Sequence, residues 1–133
     1  MELAQLGREP ISEAAPAGTD ARMEDAYDAL STEIEKLSSF SASSGIDWKK
    51  VLQLAADISA TKSKDLLVFS YLCVALMKTE GLDGLAGGVH IMRDLLETFW
   101  ETMFPAKARM RGRKNAIEWW VERIKAGLGD IGQ

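Results

Sequence analysis

Ser63-Lys64-Asp65-Leu66-Leu67-Val68-Phe69-Ser70-Tyr71-Leu72-Cys73-Val74-Ala75-Leu76-Met77 is the stretch that settles the fold class. Ser63 can cap a helix, and the residues from Leu66 onward are apolar on every side of a 3.6-residue spiral. A helix of that kind has to lie among other helices, because no face of it suits water. Gly81 then ends the helix, since glycine enters the left-handed conformation without a Cβ clash, and Asp83 offers the next cap. Leu85, Val89, Met92, Leu96, Phe99 and Met103 continue an apolar stripe until Pro105 stops it.

Upstream, Asp20 can cap a helix whose apolar positions Met23, Ala26, Tyr27, Leu30, Ile34 and Leu37 recur at helical steps. The serine-rich run Ser38 to Gly45 reads as a loop. Asp47 caps a further helix with Trp48, Val51, Leu52, Ala55 and Ile58 on its inner stripe. Downstream, a last helix carries Ile117, Trp120, Val121 and Ile124 on one face until Gly127, Gly129 and Gly132 dissolve it. The expected fold is therefore all-α, a compact bundle of five or more helices around a central apolar helix at about residues 64–79. Residues 1–20 read as an irregular arm, 21–127 as the helical domain, and 128–133 as a tail or the start of a linker.

A chain of 133 residues suits one domain, and at that size roughly two thirds of the unfolded surface is buried on folding. Cys73, the single cysteine, has no bridging partner and reads as a small core hydrophobe in a reducing compartment. The N-terminus lacks the basic start and apolar core of a signal peptide, and no run approaches the ~20 apolar residues of a membrane span. A cytoplasmic protein is expected. The net charge of −4 argues against nucleic acid as main partner, yet residues 107–125 hold seven basic and two acidic residues. That segment reads either as a solvated surface or as a contact for an acidic protein face or phosphate.

Chemistry is sparse. His90 is the only histidine, and its helical neighbours Ala86, Gly87, Arg93 and Asp94 supply at most one further metal ligand. Catalysis by Cys73 with His90 would require a thiol emerging from a helix that reads as buried. Glycines 84, 87 and 88 match neither a phosphate-binding loop nor a dinucleotide fingerprint, because no strand precedes them. The acidic group Glu24, Asp25 and Asp28 reads as a solvated face. No cofactor or metal is expected. Lys64 places a cation at the unfavourable end of a helix dipole, which calls either for a carboxylate such as Asp57 or Asp47 or for a partner protein. Trp119 stands ~100° from the inward Trp120 on helical geometry and reads as core edge or interface anchor.

The ordered set Pro10-Ile-Ser, Pro16-x-Gly18-x-Asp20-x-Arg22, Asp47-Trp48-x-x-Val51, Ser63-Lys64-Asp65-Leu66, Gly81-Leu82-x-Gly84-Leu85, Leu95-Leu96, Phe99-Trp100 and Pro105 resembles the N-terminal domain of the ImpA/TssA family. Ala17 and Val89-His90 depart from the usual pattern. The resemblance implies a non-enzymatic α-helical docking module of a bacterial type VI secretion system, meeting tail tube, sheath or baseplate proteins. It further implies a homo-oligomeric ring formed by a C-terminal region beyond Gln133. The surface candidates for partner binding are Arg22, Lys64, Asp65, Arg113 and Trp119. The alternatives are a helical regulator binding nucleic acid or an acidic protein through residues 107–125, and a small enzyme using His90 and Cys73.

Overall fold

The computed structural model describes residues 3–38 and 45–131. Gly132 and most of the serine-rich run expected as a loop lie outside them, as does the Met23 side chain. Four α-helices are present among the described residues: α1 (Asp25–Glu35), α2 (Trp48–Thr61), α3 (Leu66–Phe99) and α4 (Met110–Ile131). Short 3-10 turns at Leu3–Gln5, Ala21–Met23 and Lys36–Ser38 accompany them, and no strand is present among the described residues.

The expectation of five or more helices is corrected to four. The two helical halves foreseen on either side of Gly81 run on as α3, divided by a sharp kink at Gly81, with φ 67° and ψ −142°. Beyond that kink α3 folds back on itself. A Cβ on Gly84 would collide with the Leu76 carbonyl, and one on Gly88 with the Cys73 side chain, so backbone meets backbone there. The first half of α3 is buried from Leu66 to Met77 apart from half-buried Leu67, as an all-round apolar helix requires.

α2 and α4 both pack on α3, and α1 packs on α2. Asp47 caps α2 as expected, its carboxylate accepting the Lys50 N–H. Val51, Ala55 and Ile58 of its inner stripe are fully buried. Asp20 caps the Ala21–Met23 turn rather than α1, which starts at Asp25. α1 and α2 are tied by Glu33, buried at the end of α1, whose Oε2 accepts the Asp47 N–H at 2.9 Å. That bond, with the Lys36 ammonium beside it, holds the Glu33 carboxyl below its usual range.

α4 departs from expectation at its end. It continues through Gly127 and Gly129 to Ile131, with Gly127 lying against the end of the Met77 side chain. Residues 3–20 hold one 3-10 turn, at Leu3–Gln5, and are built into the core: Leu6 and Ala17 are buried within its apolar cluster.

Candidate functional site

The Ser63-to-Leu66 segment is a junction. Its backbone is bonded on one side to the N-terminal arm, through Thr19 N–H to Lys62 O and Lys64 N–H to Ala17 O. On the other side it meets the loop after α3, through Leu66 N–H to Phe104 O and Phe104 N–H to Lys64 O. Three chain segments thus meet side by side. This pairing delays the start of α3, so Asp65 and not Ser63 is its cap, with Oδ1 accepting the N–H groups of Leu67 and Val68.

The expectation that Lys64 lies at the surface is overturned, since the residue is 0% exposed. Its ammonium reaches neither Asp57 nor Asp47. It donates to the carbonyls of Leu6 at 2.7 Å and Ser59 at 2.8 Å, and stands over the rings of Phe69 and Phe99. Carbonyl oxygens and aromatic faces are partial negative charges, so they answer the cation without a carboxylate. Burial pushes the ammonium down to about 8, with Glu9 acting the other way.

Asp65 and Arg113 are likewise interior, correcting their expected surface position. Burial pushes the Asp65 carboxyl above its ordinary value, against the opposing pull of Arg22 and the two capping N–H groups. Arg113 donates from Nε to Pro105 O at 2.8 Å and from Nη2 to Met103 O at 3.1 Å, with Trp100 stacked on its guanidinium at 4.6 Å. It therefore locks the loop between α3 and α4, which contains a cis Phe104–Pro105 bond.

Arg22 and Trp119 do reach the surface, on the walls of one cleft. Both line a cleft of about 370 Å³ with Tyr71, Pro105, Asn115 and Ala116. The Ala21–Met23 turn supplies Arg22, the first half of α3 supplies Tyr71, and one edge of α4 supplies Asn115, Ala116 and Trp119. Arg22 is fixed from below by Asp65, with Nη2 at 3.3 Å from Oδ2, and from the side by the Tyr27 ring. Burial opposes its charge, but Asp65 leads the groups that outweigh it and hold the guanidinium above its ordinary value. Trp119 stands edge-on to Tyr71 with ring centroids 4.8 Å apart. Core edge is thus its position, with one side open to the cleft.

Elsewhere the chemistry is closed. Cys73 is buried, and burial pushes its thiol up to about 11. His90 is half-buried and engaged with Asp94 at 3.2 Å and with Arg93 at 3.3 Å. Among the described residues no group of three or more His, Cys, Asp or Glu side chains is placed to hold a metal ion, and no helix is long and apolar enough to cross a membrane.

A family described as ImpA, N-terminal, type VI secretion system, matches residues 8–122. The chain belongs to the ImpA N-terminal family. In keeping with that membership it is 30% identical over 105 residues to type VI secretion system component TssA1 of Pseudomonas aeruginosa, covering 71% of the chain and 29% of the relative. The ImpA N-terminal domain of TssA from Burkholderia cenocepacia superposes with a TM-score of 0.80 at 28% identity, covering 96% of this chain and 49% of that one. The chain spans less than a third of the TssA1 relative and about half of the solved one. Membership of the ImpA N-terminal family, similarity to TssA proteins and an all-α fold among the described residues are therefore established.

Several cleft residues of this ImpA domain escaped the sequence reading. Pro105 was legible only as a helix stop, and Tyr71 only as one more apolar position. Its phenol was the available signal, because a tyrosine in an otherwise apolar helix marks the place where that helix nears the surface. Asn115 carried no distinguishing pattern.

Proposed function

We propose that this chain is a non-enzymatic docking module of a type VI secretion system, holding a tail tube, sheath or baseplate protein in the cleft between Arg22 and Trp119. The observation that carries the reading is the convergence of these two side chains on one cleft, where buried Asp65 holds Arg22 and buried Arg113 holds the Pro105 carbonyl. A tryptophan edge with a fixed guanidinium beside it is the pairing that dominates protein interfaces, since both bury much area and keep a polar handle. Rigid support lowers the entropy lost on binding. Ring formation, implied by the family, is assigned to those parts of the longer relatives that this chain does not cover.

A pull-down of purified tube, sheath and baseplate proteins tests the reading. One component should be captured by the wild-type chain, and Trp119→Ala should weaken that capture at least about tenfold, which is ~1.4 kcal/mol. Circular dichroism must report a folded variant. Capture of no component, or capture indifferent to Trp119→Ala, would sink it.

A further inference from the structure

Resting on that docking reading, we propose that the occupant is an extended acidic segment of the partner, with one apolar side chain against Tyr71 and Trp119 and carboxylates on Arg22 and Arg109. A second cleft of about 220 Å³ adjoins the first, lined by Asp20, Arg22, Phe104, Pro105, Ala106 and Arg109. The two share Arg22 and Pro105, so they form one track with two seats. An extended chain, whose alternate side chains point to the same face, places them in successive seats of such a track.

Charge selects the occupant. The domain is acidic overall, at −4, but the track is bounded by cations. Lys107 and Lys114 are already answered by Glu101 and Glu118, at 3.0 and 3.8 Å. Arg109 is exposed, and among the described residues it has no ion-pair or hydrogen-bond partner for its side chain. Asp20, the carboxylate on the wall, is turned to its own backbone, accepting the Arg22 N–H at 2.9 Å. An acidic segment therefore finds Arg22, which already leans on Asp65, where the two seats join, and the unpaired Arg109 in the smaller seat. A nucleic acid would need a longer row of free cations to neutralise successive phosphates, and burial has withdrawn Arg113 from that row, while Lys107 and Lys114 share their charge with Glu101 and Glu118.

The test is a selection of short random peptides displayed on phage against the whole chain, followed by fluorescence anisotropy with the enriched peptide. Enriched sequences should place Asp or Glu beside an aromatic or aliphatic residue. Arg109→Glu should weaken that peptide at least about fivefold, while Lys49→Glu, the same charge change on exposed α2, leaves it unchanged. Arg109 is exposed, and circular dichroism must report a folded variant. Enrichment of neutral or basic sequences, no enrichment, equal loss with Lys49→Glu, or displacement of the peptide by a mixed-sequence DNA duplex would each overturn the proposal. Its failure separates from that of the docking reading. Capture of a secretion protein indifferent to Arg109→Glu removes the acidic occupant alone, whereas acidic peptides selected with no secretion protein captured remove the docking assignment alone.

Discussion

Lys64 is a cation without a carboxylate, held at the crossing of the arm, the end of α2 and the start of α3 by two carbonyls and two aromatic rings. Its depressed pKa has a consequence for stability. Between about 8 and the ordinary 10.5 the folded chain has released a proton that the unfolded chain still binds, so stability rises with pH through that window, and the cost of the buried charge is fully present below it. Denaturant titrations of wild type and Lys64→Met at neutral and at high pH should therefore differ, the wild type gaining relative to the variant as pH rises. A difference that stays flat would mean that the ammonium is not desolvated. None of this was legible in the sequence, because the partners of Lys64 are backbone carbonyls, one of them 58 residues away, and every residue type carries a carbonyl. Arg113 is the opposite case. It lies seven residues before Trp120 on α4, with Ala116 between them on the same face, so helical spacing placed it inward even though its basic neighbours suggested a surface.

At the scale of elements, local signals served well and long-range ones did not. Asp47 and the stripe Val51, Ala55, Ile58 define α2 because a cap and a periodicity act within a few residues. The cap of α3 was misplaced by two residues, since the segment before it is bonded to the arm and to Phe104, which no local pattern reports. Gly81 was recognised as a break, but that α3 folds back there depends on what Gly84 and Gly88 touch. Those contacts predict opposite signs for two neighbouring substitutions. Gly84→Ala should destabilise by about 1–3 kcal/mol through overpacking against Leu76. Gly87→Ala, with nothing within 4 Å of the new Cβ, should stabilise by about 0.8–1 kcal/mol through helix propensity. Thermal melts of both variants decide the matter, and equal shifts would contradict the fold-back packing.

For the whole molecule, the fold class and the central helix were readable because a stretch apolar on all sides admits one solution, while the cleft was not readable because its residues come from three separated segments. Arg22, Tyr71 and Trp119 meet only after the arm, α3 and α4 have packed. Two of the five partner candidates, Arg22 and Trp119, line the cleft; of the three buried ones, Asp65 holds Arg22 and Arg113 holds the Pro105 carbonyl, while Lys64 lies against Leu6 and Ser59. The division is physically coherent, since a rigid interior fixes the angle at which the exposed pair is presented.

The most direct test of this docking account is hydrogen–deuterium exchange of the chain with and without a saturating captured secretion protein. The account predicts slowed exchange concentrated in the segments around Arg22, around Pro105 and Arg109, and along the Asn115-to-Trp119 edge of α4, with α1 and the exposed side of α2 unchanged. Protection centred on α1 and α2, with the Arg22–Trp119 cleft exchanging as in the free chain, would contradict it.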